Sequence, residues 1–483
     1  MSKKKYVDIK SEQSDTELSA AEAHFIRMTE APLGPLITQM ATPAVIANII
    51  GVGYNLTDTF YVGRLSTAAS AASGVVMPLM VAIQAIGLLM GAGAGNRIAV
   101  LLGKKDMDLS EKLVSTAFFT TFVISIILSI LALIFRVPLA WIFGSTKTIE
   151  PLAVVYMVPL LYAGPFYCMS YVFDPLLRFQ GLAAESMIGI GLGAILNIIL
   201  EPIFIFTLHM GMFGAGLATG ICETLSFILL FILFIKRSGV KLKWKQFSPA
   251  GFVYHEIIAG GLPNFIRNIM GSFATDIFNL AANPYGDAAI AAITISNRIV
   301  MLTASAEIGF GRGYQPVCGF NYGAHHYVRV KRGYYLIMRA SVILLVVVAI
   351  AQSIWAPQLI QLFRNDPAVI KYGAEVLRWQ SLSFPLYSYI ICSNMMQQTL
   401  GHTVIASIVG LARQGIFLVP VLLIFPHFLG FFGVELAQPI GDTCTMLLTI
   451  PLQMYVMREL KDPYHEISKK QREEMAEVVP EQR

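Results

Sequence analysis

Charged side chains are the scarcest feature of this sequence. Asp, Glu, Lys and Arg make up 13% of its 483 residues, where soluble domains carry about one quarter. With 55% hydrophobic residues and a mean hydropathy of +0.64, the chain cannot be a water-soluble globule. It is expected to be a polytopic membrane protein. Cysteine is sparse as well. Cys168, Cys222, Cys318, Cys392 and Cys444 all lie in or beside apolar runs, and none has CxxC or zinc-ligand spacing. They read as inert packing residues. There is no HExxH, no paired aspartate motif and no Ser–His arrangement, so an intramembrane enzyme is not expected. No nucleic-acid motif accompanies the net charge of +5, which fits basic cytoplasmic loops. Residues 1–30 are polar and no apolar stretch with a cleavage site follows them directly. A removable signal peptide is therefore not expected, and the first apolar helix would direct insertion.

What the sequence has in quantity is long apolar runs. At about 20 residues per span, twelve helices are predicted near 34–60, 69–94, 113–136, 152–177, 187–208, 213–235, 254–282, 288–311, 334–356, 370–397, 404–426 and 432–457. Basic residues cluster in alternate loops. Lys104, Lys105 and Lys112, then Arg178, then Lys236, Arg237, Lys241, Lys243 and Lys245, then Arg329, Lys331 and Arg332 mark one side. Lys461, Lys469, Lys470 and Arg472 add the tail, while the opposite loops carry only Arg64, Arg136, Lys147, Arg364 and Lys371. By the positive-inside rule, both termini are cytoplasmic.

The halves repeat at an offset of 220. Between Pro43–Gly103 and Pro263–Gly323 twelve positions are identical without a gap, including Pro43, Asn48, Gly51, Gly91, Gly93 and Gly103. Pro165 then pairs with Pro385 and Gly181 with Gly401; at an offset of 219, Glu223 pairs with Asp442. The fold class that follows is an all-α membrane protein of two six-helix bundles related by a pseudo-two-fold repeat, with a cavity between them. The expected division is a cytoplasmic segment 1–32, an N-lobe 33–236, a solvated linker 237–252, a C-lobe 253–458 and a cytoplasmic tail 459–483.

Acids inside such helices are functional hypotheses. Tyr54 and Asp58 are four residues apart, one helical turn, in the run PAVIANIIGVGYNLTDTFYVG. Their repeat partners are Ala274 and Phe278, so the pair is special to the first half; a helix-end carboxylate reaching the interface is the competing account. Asn197 and Glu201 share a face, and Pro202 after them is expected to kink the helix. Thr219 and Glu223 are again one turn apart; Glu223, which has an acidic repeat partner, reads as structural. Two carboxylates, an amide, a hydroxyl and a phenol make an oxygen-rich site, able to hold Na⁺ or one or two protons. Asp174 and Arg178 are expected to pair at i,i+4, and Arg267 and Arg298 to partner Asp276 and Glu307. Asp276, with Tyr162, Met169, Tyr167 and Tyr171, is a candidate for lining a cavity that takes aromatic cations.

At this point the sequence resembles the MATE (multidrug and toxic compound extrusion) family, its MepA-like branch in particular. The resemblance rests on DTFYVGRLSTAASAA, the GxG-x9-G ends of helices 2 and 8, QPVCGFNYGAHH placed after helix 8, and NIILEPIFIF, and it spans roughly residues 33–458. It implies a secondary active multidrug efflux transporter of the plasma (cell inner) membrane, conferring antibiotic resistance. Such a transporter antiports cationic or amphipathic drugs against H⁺ or Na⁺ by alternating access and needs no cofactor. Its partners would be small-molecule drugs and the bilayer, with no nucleic acid, and it would work as a monomer. The family's cation site carries over to Asp58, Asn197, Glu201 and Thr219, with Tyr54 as accessory. Glu201 departs from the family's usual Asp, and the helix 7 acid of another branch would fall at Gly271 and is absent. A lipid-linked oligosaccharide or polysaccharide flippase of related architecture is the alternative, kept open by Arg267, Arg298 and Arg413.

Overall fold

The computed structural model describes residues 22–460. Among the described residues twelve main helices, two of them interrupted, run in chain order, with short helices at Arg136–Ile142, Ala356–Gln361 and Phe431–Glu435 between them. The first six are α1 (Leu33–Gly63), α2 (Thr67–Gly103), α3 (Met107–Ile134), α4 (Glu150–Phe179), α5 (Ala183–Pro202, followed by a π turn Ile203–Thr207) and α6 (Gly211–Arg237). The second six are α7 (Gly251–Ala282), α8 (Asp287–Gly323), α9 (Tyr327–Ile354), α10 (Pro367–Leu382 and Phe384–Thr399), α11 (Thr403–Leu411, a π turn Ala412–Ile416, then Leu418–Leu429) and α12 (Ala437–Glu459). Nine of the described helices are long and apolar enough to cross a membrane. The other three are α7, with Glu256, Arg267 and Asp276; α10, broken at Ser383 before Pro385; and α12, with Gln438, Asp442 and Gln453. Gln438, Asp442 and Gln453 are buried within the second bundle, Glu256 pairs with Arg97 of the first half, and Asp276 is exposed.

The repeat read from sequence governs the backbone. Thr67–Gly103 and Asp287–Gly323 have ends displaced by 220 residues, as do Met107–Ile134 and Tyr327–Ile354. Left-handed backbone recurs at the same offset, with φ +61° at Lys105 and His325, +80° at Gly181 and +91° at Gly401. Each marks the same turn made twice.

Helix ends differ from expectation where a helix outlasts its apolar core. Counting about 20 apolar residues ends helix 2 near 94 and helix 8 near 311, yet both continue by roughly three turns. QPVCGFNYGAHH therefore begins inside α8 rather than after it, and Arg178, expected in a loop, is helical and 4% exposed. The extra turns carry Asn96, Gln315 and Asn321, which are buried against one another's helices and not in lipid. Asn96 Nδ2 donates to Gly260 O at 3.2 Å, and its Oδ1 accepts from Thr399 Oγ1 at 3.1 Å. Asn321 Nδ2 donates to Met28 O at 3.0 Å, docking the helical residues 22–30 onto the same end.

The linker is also more ordered than a solvated connection. Lys243 N donates to Ser115 Oγ and Ser248 N to Thr116 Oγ1, both at 3.1 Å, and Lys243 Nζ pairs with Glu111 at 2.6 Å. Extended backbone on α3 satisfies its donors this way. The tail residues Lys461, Lys469, Lys470 and Arg472, and residues 1–21, lie outside the described residues.

The two halves meet through α1 on α8 and α2 on α7. A Cβ at Gly93 would collide with the backbone of Ile257 and Gly261, and one at Gly313 with that of Ala41. These are the same contact made twice, since Gly93 and Gly313, and Ala41 and Gly261, are repeat partners. Among the described residues, the hydrogen bonds and glycine contacts that join the halves all fall at this end. They include Arg312 on Asn48, Asn96 on Gly260 and Thr399, Arg97 on Glu256 and Arg329 on Ala31. The halves are joined at the Gly103/Gly323 end, and the buried apolar clusters further along each belong to one half alone.

Within the second bundle, Arg413 and Asp442 form a buried ion pair at 2.8 Å, with Gln438 Nε2 donating to the same carboxylate oxygen at 2.9 Å and Arg413 lying 4.0 Å over the Tyr387 ring.

Gly93→Val should lower the thermal stability of the purified protein in detergent by about 1–3 kcal/mol, the cost of overpacking. Gly74→Ala, where a Cβ meets nothing within 4 Å, should leave stability equal or slightly higher in the same melt. Arg413→Met should cost about 3–5 kcal/mol by stranding Asp442, and adding Asp442→Asn should recover most of it.

Candidate functional site

The first bundle assembles its polar residues between α1, α4, α5 and α6. Pro202 lacks an N–H, and the helix changes to a π turn directly after it, which swings the end of α5. Glu201 thereby ends fully buried, at 0% exposure, beside Asn197, also at 0%. Asp58 lies more than one turn inside α1, which runs on to Gly63, so it is no helix-end carboxylate. Its carboxyl adjoins that of Glu201 and the Tyr156 hydroxyl. Asn197 Nδ2 donates to Thr219 Oγ1 at 3.0 Å, and Tyr54 reaches the same threonine hydroxyl. All five residues predicted for the ion site are thus brought together.

Adjacency does not mean satisfaction here. Asp58 Oδ1, both carboxyl oxygens of Glu201 and Asn197 Oδ1 are buried, and none has a partner with hydrogen-bonding geometry. The carboxyls of Asp58 and Glu201 are left side by side, with the Tyr156 hydroxyl as the neighbouring donor. A buried carboxylate in this condition is costly unless a proton or cation joins it.

The second bundle shows the contrast. Phe278, the repeat partner of Asp58, is a buried core residue at 4% exposure. Gln438, the partner of Thr219 at an offset of 219, is committed to Asp442, whose charge Arg413 already neutralises. The acids of the first-half site are therefore open, whereas their second-half counterpart Asp442 is closed in an ion pair; Glu307, also in the second half, keeps one buried oxygen without a partner.

Beside the site lies a cavity of about 60 Å³ lined by Tyr54, Ser170, Tyr171, Ala194, Glu223 and Ser226, among others. It has room for a water or two. Glu223, read from sequence as structural, faces this cavity, and Tyr54 stands between it and Thr219. Tyr156 was not picked out from sequence. It sits on α4, and no spacing relates α4 to α1.

Three candidates are not brought to this site. Tyr162 is 70% exposed, Met169 is 0% exposed within the core cluster around Phe173, and Asp276 is exposed on α7. Positions seven apart on α4 share nearly the same face, so the two differ by depth along the helix: Met169 lies about 10 Å further on, where it packs in the Phe173 cluster. The expected ion pairs are also absent among the described residues. Asp174 instead accepts from the Ser186 hydroxyl, Glu307 accepts from Cys392 Sγ at 3.5 Å, and Arg298 is exposed.

Comparison with known proteins bears on these features. The sequence profile of the MatE family matches residues 43–203 and again 263–424, so it fits the chain twice at the repeat offset. The multidrug export protein MepA of Staphylococcus aureus (strain MRSA252) is 27% identical over 432 residues, covering 89% of this chain and 95% of its own length. The crystal structure of MATE in complex with MaL6 superposes with a TM-score of 0.85 at 24% identity, covering 90% of this chain and 98% of that one. A multidrug resistance MATE family transporter of the MOP superfamily in its outward-facing conformation gives 0.82 at 25% identity with the same coverage. Twelve helices in two bundles are the architecture of those structures too. A profile that matches both halves of a twelve-helix repeat leaves one assignment: this chain belongs to the MatE family of membrane transporters.

Proposed function

We propose that the protein is a secondary active multidrug exporter that exchanges cationic or amphipathic drugs for H⁺ or Na⁺ by alternating access. The observation that carries this is the set of buried, partnerless oxygens on Asp58, Glu201 and Asn197. A site that is stable only when loaded biases the protein between two conformations, and that bias is the coupling. For a proton the site offers two facing carboxyls; for Na⁺ it offers an all-oxygen cage completed by Thr219, with Tyr54 and Tyr156 as flanking phenols. No covalent chemistry is involved. The export of drugs by the S. aureus relative, as its name states, supports the substrate class.

The lobes that rock are residues 33–236 and 253–458, joined by 237–252, with 1–32 and 459–483 on the cytoplasmic face of the plasma membrane and a single chain as the transport unit. The Lys and Arg distribution supports this orientation. The joined end is then cytoplasmic and the cleft between the lobes opens outward. Loading of Asp58 and Glu201 from outside removes their mutual repulsion and lets α1 move against α5, releasing the drug. Discharge inside restores two carboxylates that attract the next cation.

Asp58→Asn should reduce dye efflux from proteoliposomes to background while the melting temperature stays equal or rises, since the amide no longer buries a charge. Unchanged efflux would remove Asp58 from the mechanism. Proton and sodium gradients imposed separately assign the ion: efflux with one and not the other identifies it, and efflux with neither, using several cationic dyes, overturns the exchange.

A further inference from the structure

A cavity in the second bundle has no part in the proposed exchange. Its volume is about 580 Å³, and it is lined by Glu375, Arg378, Trp379, Leu382, Phe432 and Glu435. The first four lie on the first segment of α10, and Phe432 and Glu435 lie on the short helix that leads into α12. Cavities of this size hold drug-sized molecules. Glu435 is 4% exposed, and its carboxyl adjoins that of Glu375. Neither acid forms an ion pair among the described residues; the five pairs there use other groups. Among the described residues, the group that shares a hydrogen bond with the Glu435 carboxyl is the other acid and no amine, amide or hydroxyl. Arg378, one turn from Glu375, sends its Nε to Ser353 O at 3.2 Å and leaves both carboxyls unpaired. Trp379 and Phe432 stand edge to face, with ring centroids 5.6 Å apart.

Packing of the repeat does not call for these groups. The partners of Glu375 and Trp379 at an offset of 220 are Val155 and Pro159, and the partner of Glu435 at an offset of 219 is Gly216. In the first half that glycine lets α6 lie directly on α4, because a Cβ there would collide with the backbone of Tyr156. In the second half a buried glutamate stands in the glycine's place, and the corresponding helices cannot close in the same way. A space remains where the other half has a helix contact, and it is walled by two acids and two aromatic rings. Adjacent carboxyls away from bulk water are costly unless a proton or another cation joins them.

We infer that this cavity is a binding site for an organic cation, a quaternary ammonium or an alkylated aromatic ring nitrogen. Two carboxyls against one guanidinium leave the lining net negative when both acids are ionised. A cation beside Glu375 and Glu435 removes their repulsion, and the rings of Trp379 and Phe432 suit a weakly hydrated, apolar-coated charge rather than a metal ion. The site belongs to the second bundle and is separate from Asp58 and Glu201 in the first. It shares the substrate class of the proposed exporter but rests on no step of its cycle.

The test uses the full-length purified protein in a nonionic detergent at mildly alkaline pH and reads tryptophan emission. The probes are an N-methyl benzylpyridinium, a cation that quenches tryptophan on contact, and its uncharged parent benzylpyridine. The cation should quench saturably, and benzylpyridine should displace it only at concentrations at least about tenfold higher. Trp379→Phe should remove the saturable part; Trp141, Trp244 and Trp355 lie outside the cavity, so this loss locates the probe. Glu435→Gln and Glu375→Gln should each raise the half-saturating concentration about tenfold, the order expected for one partly solvated charge pair, and Glu375→Asp should raise it less. Glu375 is less buried than Glu435, so its variant keeps the test open if Glu435→Gln fails to fold. Asp58→Asn should leave the saturable quenching unchanged, which separates failure of this site from failure of the ion exchange. Quenching that rises linearly with the cation, that survives Trp379→Phe, or that keeps its half-saturation in every folded Gln variant overturns the site.

Discussion

Two helical bundles in hydrocarbon gain nothing from burying Leu and Ile against each other, because lipid tails are equally apolar. What can join them is close backbone approach and polar glue, and both are concentrated at one end of this molecule. Gly93 lies under Ile257 and Gly261, Gly313 lies under Ala41, and Asn96 is tied to Gly260 and Thr399 across the seam. The rest follows from that contact. It determines which ends of α1, α2, α7 and α8 are held and which are free to part. It brings Arg178, Arg267 and Arg312 into one crevice, because that crevice is the first space beyond the seam.

Charge is where the duplicated frame ceases to be duplicated. The backbone repeats down to the sign of φ at Lys105 and His325. Yet the first half holds open acids at Asp58 and Glu201, while the second closes Asp442 with Arg413 and fills the position of Asp58 with Phe278. Arg178, Arg267 and Arg312 likewise stand where the other half has alanine or glutamine. Packing residues are shared by both halves because both solve the same packing problem, whereas a chemical task needs its group in one place.

Helix α1 connects the two charged regions. Asn48 accepts the Arg312 guanidinium near the seam, and Asp58, nearly three turns further along, adjoins Glu201 and Tyr156. Any shift of α1 that follows loading at Asp58 therefore acts on a bond made by Arg312. Pro43 within α1 and the π turn after Pro202 in α5 weaken the backbone ladder on either side of that path.

Sequence alone determined the membrane class and the internal repeat, which are recorded in local periodicity and in Gly and Pro positions that need no knowledge of neighbours. The five residues of the oxygen-rich site were singled out by one-turn spacings together with the family resemblance. Helix ends were less legible, because Asn96, Arg178, Arg312 and Gln315 look like interfacial or loop residues until another helix is seen to cover them. Tyr156 beside Asp58 was invisible for the same reason, and so was the separation of Asp174 from Arg178, two residues whose spacing by itself favours a pair. Which polar groups meet across helices is a property of packing at a distance of a hundred or more residues, as Asn96 with Gly260 and Arg312 with Asn48 illustrate. Only the tertiary structure decided that Asp58 and Glu201 remain open, that Asp442 is closed by Arg413, and that three arginines converge without an ion-pair partner among the described residues.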